Sequence, residues 1–284
     1  MKHIPNRSIS LLIVRLSLFV LWLAGIQVFL AACQEDQKKT SLERGNVLFY
    51  DQFDSLGETR WNISQQSFDS GTGATGTDFT NLLTSHVVED NDACFTASNT
   101  DVSSIPSQLR MSVASQTLNC PDTDNVYQFS GGELRSAANF IFGRFSTKLQ
   151  TSLKAGAMTS FYLYANELEI GIHFPGNDPT IVALSYRNGT VEEITPLNPN
   201  DHSQISNFNA GNRFHTYSIL WQKDLIQWSI DGHAVLGIKN NVPENSMNLI
   251  LSTWVNGDSS QAGIADSNLS AFTDFAFVKV ESFP

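Results

Sequence analysis

Apolar positions come in short runs that mostly alternate with polar ones. From Val47 onward these runs are rich in Phe, Ile, Leu, Tyr and Trp and are broken by Gly, Asn, Asp and Pro. They occupy residues 47–50, 140–149, 161–164, 168–174, 180–186, 215–221, 226–230, 248–254 and 272–280. Few stretches have both helical length and a 3.6-residue period, so strands are predicted throughout. The run 140–149 is expected to be one strand with Phe140, Phe142 and Arg144 on one face. Turn signals recur at Asn188-Gly189, Asp231-Gly232 and Asn256-Gly257, and Asp231-Gly232 predicts a two-residue hairpin. Many short strands with such turns indicate an all-β sandwich or barrel. Residues 65–125 are richer in Ser, Thr, Asn and Asp and are expected to form long loops with a few strands. No internal repeat is visible.

The first residues do not fit this pattern. Lys2, Arg7 and Arg15 precede an almost wholly apolar stretch over residues 16–32, which ends Leu30-Ala31-Ala32-Cys33 before polar Gln34-Glu35-Asp36. A basic start, an apolar run and small residues before a cleavage point predict a secretory signal. The Leu-Ala-Ala-Cys ending resembles a bacterial lipobox, which implies lipid attachment at Cys33. The alternative is an uncleaved anchor, because the apolar stretch nearly reaches bilayer length. The expected organisation is a signal peptide at 1–32, a lipidated tether at 33–46 and one domain at 47–284. The expected location is the cell envelope, at the outer membrane or cell surface. Gln34 after the cysteine is not an inner-membrane retention signal of the enterobacterial kind.

Composition narrows the function classes. With 41% hydrophobic and 16% charged residues in 284, the chain is long and apolar enough to bury a core. Its 28 acidic against 17 basic side chains disfavour a nucleic-acid partner. Removing residues 1–32 takes three positive charges from a chain of formal charge −11, leaving −14. That suits a neutral ligand better than an anionic one. Of the three cysteines, the lipidated Cys33 accounts for the odd one. Cys94 and Cys120 are left as either a disulfide or two buried thiols. The bridge would add ~3.5 kcal/mol in the chain-entropy model. No ligands recur at zinc-like spacing, so no metal site is read from the sequence.

One predicted strand carries chemistry. In Glu167-Leu-Glu169-Ile-Gly171-Ile-His173-Phe174-Pro-Gly176, alternation puts Glu167, Glu169, Gly171 and His173 on one face. Leu168, Ile170, Ile172 and Phe174 form the opposite, core-facing stripe. The simplest account is a half-buried strand with one wet face.

Several segments together resemble glycoside hydrolase family 16, which includes the laminarinases and lichenases. They are Phe49-Tyr-Asp51-Gln-Phe53 with Trp61, Phe129-Ser-Gly-Gly-Glu133-Leu-Arg135, Phe142-Gly-Arg-Phe145 and Gly156-Ala-Met-Thr-Ser-Phe-Tyr-Leu-Tyr164. Phe214-His215-Thr-Tyr-Ser-Ile-Leu-Trp221, Ile226-Gln-Trp228-Ser-Ile-Asp231-Gly232 and Leu249-Ile-Leu-Ser-Thr-Trp254-Val-Asn-Gly257 follow in family order. The resemblance implies a concanavalin-like β-jelly-roll of two antiparallel sheets, the concave one holding a glycan groove. It implies a polysaccharide partner of β-glucan type, a monomer, and no cofactor. It leaves room for a structural calcium bound largely by backbone oxygens, which side-chain spacing cannot reveal.

The family's catalytic strand reads Glu-x-Asp-x-Glu. Aligned to it, Glu169 keeps the nucleophile position, Gly171 replaces the middle Asp, and His173 replaces the acid/base. Glu133 and Arg135 match positions that contact sugar, while Tyr162, Tyr164 and Trp254 are candidate stacking platforms. Only Ala165-Asn166 separates Tyr164 from Glu167, so one usual wall of the cleft is expected to be missing or rebuilt.

Three readings are open. The chain could recognise a β-glucan-like polysaccharide with hydrolysis lost or impaired. It could be an active retaining endo-β-glucanase or transglycosylase using Glu169 with His173 or Glu167. Or it could be a structural or adhesion lipoprotein without sugar binding. Glu169 could also be held by Arg135 or His173 with no nucleophilic role. Trp221, Trp228 and His215 are expected to be structural.

Overall fold

A computed structural model describes residues 45–57, 59–64, 93–102, 106–120, 126–166, 168–256 and 259–282. The signal segment, Cys33, residues 34–44 of the tether, and Glu167 lie outside the described residues.

Residues 47–282 form a two-sheet jelly-roll sandwich, with sixteen strands among the described residues. The front sheet runs β11 (Val191–Leu197), β10 (Val182–Asn188), β9 (Leu168–Pro175), β8 (Ala157–Ala165), β15 (Met247–Val255), β6 (Val126–Phe140) and β2 (Trp61–Ile63). The back sheet runs β14 (His233–Lys239), β13 (Leu225–Ile230), β12 (His215–Gln222), β7 (Gly143–Ser152) and β16 (Ser270–Glu281). The far edge of β16 is shared by β1 (Val47–Asp51) and β5 (Leu109–Asn119). All these ladders are antiparallel. The short β3 (Ala93–Phe95) pairs in parallel with β6.

The sheets join because β6 belongs to both. Val126–Ser130 of β6 pairs with β5, whereas Gly132–Phe140 pairs with β15. Between them lies Gly131-Gly132, where only hydrogen fits. A Cβ on Gly131 would meet Thr253 O at 2.8 Å, and one on Gly132 would meet Asn99 O and Met111 Cγ at 2.7 Å.

Alternation builds the core between the sheets. Ile170, Ile172 and Phe174 of β9 and Phe161 and Leu163 of β8 face Tyr217, Ile219 and Trp221 of β12 and Trp228 of β13. Trp228 Nε1 donates to Gly171 O at 3.0 Å, tying the back sheet to the strand that carries the candidate site. Trp221 Nε1 donates to Pro243 O at 2.9 Å, and His215 Nδ1 sits 2.7 Å from Asp231 Oδ2. These three residues are structural, as expected.

The hairpin signals hold where they are described. Asp231 and Gly232 have φ of 50° and 85°, and Gly189 turns β10 into β11 at φ 61°. Asn166 takes φ 52° in the tight β8–β9 connection. The run 140–149 is not one strand. β6 ends at Phe140, and the chain turns through Ile141 and Phe142, with Phe142 at φ 54° and Gly143 at φ 134°. Phe140 and Arg144 therefore lie on different strands. An apolar run masked this turn because it carries no Asn or Asp.

Cys94 and Cys120 form a disulfide with Cα atoms 5.6 Å apart. It joins β3 to the end of β5, beside the first half of β6.

Candidate functional site on the outer face of the front sheet

Packing of the Ile170–Ile172–Phe174 stripe into the core turns Glu169, Gly171 and His173 to the other face of the front sheet. Ladder registers then set their neighbours. One row across the sheet reads Glu133, Ser252, Ser160, His173, Ala183. The next reads Arg135, Ile250, Tyr162, Gly171, Ser185. The third reads Asn248, Tyr164, Glu169, Arg187, Glu192.

Glu169 and His173, four residues apart, are in contact. His173 Nε2 lies 3.2 Å from Glu169 Oε1. Ser185 bridges them, donating to Glu169 Oε1 at 2.5 Å with its Oγ 2.7 Å from His173 Nε2. On the other side of the ring, Nδ1 is 2.8 Å from Ser160 Oγ, which accepts from Trp254 Nε1 at 3.4 Å.

A serine hydroxyl has one proton to give, which sets the direction of the bonds around Ser185. The single Ser185 proton goes to the carboxylate, so Ser185 accepts from His173 Nε2–H. Ser160 Oγ, 2.8 Å from His173 Nδ1, accepts the Trp254 N–H.

Gly171 is required by this arrangement. A Cβ there would lie 2.5 Å from Ser185 Oγ, 2.8 Å from His173 Nε2 and 3.0 Å from Tyr162 Cβ. Ser185 thus takes from the neighbouring strand the place that an aspartate at 171 would need.

The remaining candidates divide. Glu133 accepts from Ser64 Oγ at 2.6 Å and from Tyr162 Oη at 3.4 Å, and Arg135 Nη2 is 3.9 Å from it. Three strand steps separate Glu133 from His173, ~14 Å at ordinary strand spacing. Arg135 therefore sits beside Glu133, and His173 is the partner that holds Glu169. Tyr162, Tyr164 and Trp254 pack with Phe95, Met158 and Ile250 in a second apolar cluster on this face. Their exposures are 0%, 8% and 2%, and Glu133, Glu169 and His173 are each 0% exposed. Arg135, with 28% of its side chain exposed, is the candidate here that reaches solvent.

Sequence reasoning missed Ser160, Ser185 and Arg187. Arg187 is 3% exposed, with Nε 3.0 Å from Glu192 Oε1 but outside hydrogen-bonding direction. Alternation with Val182, Leu184 and Tyr186 could have put Ser185 and Arg187 on the site face. Only register puts Ser185 opposite Gly171.

A family model described as glycosyl hydrolases family 16 matches residues 89–269. The β-glucanase of Bacillus licheniformis is 26% identical over 166 residues, covering 56% of this chain and 61% of that protein. The β-glucanase of Brevibacillus brevis is 26% identical over 155 residues, covering 51% and 55%. This chain therefore spans about three fifths of the length of such curated relatives. The solved B. licheniformis β-glucanase superposes with a TM-score of 0.65 at 20% identity, covering 84% of this chain and 99% of that one. The endo-β-1,3-glucanase of Pyrococcus furiosus gives 0.68 at 15% identity, covering 85% and 96%. These superpositions show a shared fold.

Proposed function

The chain belongs to glycosyl hydrolases family 16, whose model covers well over half of it, and on that premise we propose that it recognises a β-glucan-like polysaccharide without hydrolysing it through Glu169 and His173. The 3.2 Å contact between those two side chains carries this reading. Retaining hydrolysis holds its two catalytic groups ~5–5.5 Å apart, with the glycosidic bond between them. Here the gap is closed by direct contact and by Ser185. The Nε2 proton that His173 would give to a leaving oxygen is already shared with Ser185 and Glu169. General acid catalysis typically speeds such a step ~10²–10⁴-fold. In this reading Cys33 carries the lipid, and residues 33–46 tether a monomeric domain in the cell envelope. The basic start, apolar run and Leu-Ala-Ala-Cys ending support that placement.

A second reading, a structural or adhesion lipoprotein without sugar binding, is favoured by one observation. The stacking candidates Tyr162 and Trp254 are almost wholly buried.

The test offers the detergent-solubilised full-length protein laminarin, lichenan, xyloglucan, agarose and κ-carrageenan. New reducing ends and retardation in polysaccharide gels are both measured. Retardation without cleavage is expected. Cleavage that disappears in Glu169→Gln would establish an active endo-β-glucanase or transglycosylase instead. Neither retardation nor cleavage would leave the structural reading.

A further inference from the structure

The β5–β6 ladder contains a bulge. Ser115 pairs with Phe129 and Leu118 with Tyr127, so Gln116 and Thr117 together oppose Gln128. A bulge of this kind bends a strand and re-aims its side chains. Here it opens a recess of about 360 Å³, lined by Ser115, Gln116, Thr117, Gln128 and Ser267 above Phe129. That volume lies within the ~300–1,000 Å³ usual for small-ligand sites.

Among the described residues the lining has no charged side chain, although the chain carries a formal charge of −11. Neither an anion nor a cation finds a counter-charge there. The recess instead offers amides and hydroxyls, which both donate and accept, and it leaves capacity unused. Thr117 Oγ1 donates to Gln128 Oε1 at 3.2 Å, so the Gln128 amide protons and the Thr117 lone pairs remain for a ligand. Gln116, Thr117, Gln128 and Ser267 are all exposed. The buried Phe129 closes the floor beneath these polar groups.

The recess is held on both sides. The Cys94–Cys120 bridge closes just beyond β5, and Ala93 of β3 pairs with Phe129 itself. Opposite, Ser115 N donates to Leu269 O, Leu269 N donates to Ser115 Oγ, and Ser115 Oγ donates to Asp266 O. A pre-organised site loses less on binding because few side chains and loops must be ordered. The recess of about 480 Å³ beside β1 differs. Its Asp51 is already engaged by Trp61, Phe53 and Arg60, and its Asp54 by Gln52 and Ser107.

We propose that the β5–β6 bulge recess docks a short segment of a neutral polysaccharide, apart from the face that carries Glu169 and His173. The inference rests on the polysaccharide reading above and places the binding where polar groups are open to solvent.

The test is retardation of the detergent-solubilised full-length protein in laminarin and lichenan gels. Wild type is compared with the double variant Gln116→Ala/Gln128→Ala and with Arg135→Ala. The double variant is expected to lose about tenfold or more in affinity, as the removal of two hydrogen-bonding amides predicts. Its thermal midpoint should be unchanged, because both residues are exposed. Arg135→Ala, at the solvent-reaching position of the front-sheet face, should lose less affinity than the double variant. If the double variant is retarded like wild type while Arg135→Ala is not, this inference falls and the polysaccharide reading survives on the front sheet. If all three proteins are retarded alike, the inference also falls. If wild type is retarded in neither gel, this inference falls, and the polysaccharide reading falls with it when xyloglucan, agarose and κ-carrageenan also fail to retard it.

Discussion

Ser185 stands directly opposite Gly171 in the β9–β10 ladder, and its hydroxyl lies 2.5 Å from where a Gly171 Cβ would be. The two positions are one steric unit. Gly171→Ala must displace Ser185 Oγ or the imidazole of His173, and overpacking of that kind costs ~1–3 kcal/mol. Removing the hydroxymethyl group with Ser185→Gly should recover part of that cost. The remainder reflects His173 Nε2 at 2.8 Å and Tyr162 Cβ at 3.0 Å. A double-mutant cycle by urea unfolding reads the coupling directly. Additive effects would show that Ser185 does not constrain position 171.

The network also predicts the outcome of removing the carboxylate. If Glu169 serves as the acceptor at the end of the Trp254–Ser160–His173–Ser185 chain, Glu169→Gln changes stability and leaves glycan cleavage at background. A buried amide in place of the carboxylate loses the charge-assisted bond from Ser185, a loss of ~1–3 kcal/mol. Unfolding midpoints and reducing-end release from laminarin are the measurements. Cleavage by wild type that Glu169→Gln abolishes would return Glu169 to a nucleophile's role.

How much of this was legible follows from which contacts are local. The strand faces were, because alternation at Leu168–Phe174 and at His215–Trp221 depends only on a residue's neighbours in the chain. The Asp231-Gly232 turn was legible for the same reason. The partners of Glu169 were not. Ser185 and Ser160 reach it from β10 and β8, and no local pattern states which residue of one strand faces which residue of the next. Burial was also out of reach. Trp254, Tyr162 and Glu133 read as groove residues by resemblance, and only three-dimensional packing reveals that almost none of their surface meets solvent. The turn at Phe142 was hidden because a left-handed phenylalanine carries no turn signature.

Tyr217 makes a prediction about alkaline pH. Its ring packs edge-on against Phe174 with centroids 4.7 Å apart, and its hydroxyl has no hydrogen-bond partner. Burial, together with the nearby Asp231 carboxylate, pushes the phenol well above its ordinary value of 10.0. The unfolded chain therefore releases this proton at a pH where the folded chain keeps it. The stability tied to it is fully present below pH 10 and is lost as pH rises from there towards the folded value. Tyr217→Phe should remove part of that alkaline loss. At neutral pH it should be neutral or stabilising by about 1 kcal/mol, because it deletes an unsatisfied buried hydroxyl. Tyr186, also raised by burial, keeps the remainder. Urea unfolding from neutral pH to about 11 compares the two proteins. An identical alkaline fall in both would discount Tyr217.

The disulfide makes a prediction about where the molecule loosens. Cys94 and Cys120 are 26 residues apart in sequence, so a bridge between them restricts a loop of that length in the unfolded chain. Its loss should cost ~3.5 kcal/mol in the chain-entropy model. The structure adds a location. The bridge ties the end of β5 to β3, and β3 pairs with β6 over Phe129–Gly131, where that strand passes into the front sheet. Reduction should therefore open the β5–β6 ladder before the β12–β13 hairpin, where Trp221 and Trp228 are fully buried. Hydrogen exchange with and without reductant checks this: amides at 113–119 and 126–130 should lose protection first, and those at 217–221 and 226–230 last. A Cys94→Ala/Cys120→Ala variant provides the same comparison without added thiol. Uniform loss of protection across both regions would mean that the bridge supports the sandwich as a whole and not this corner of it.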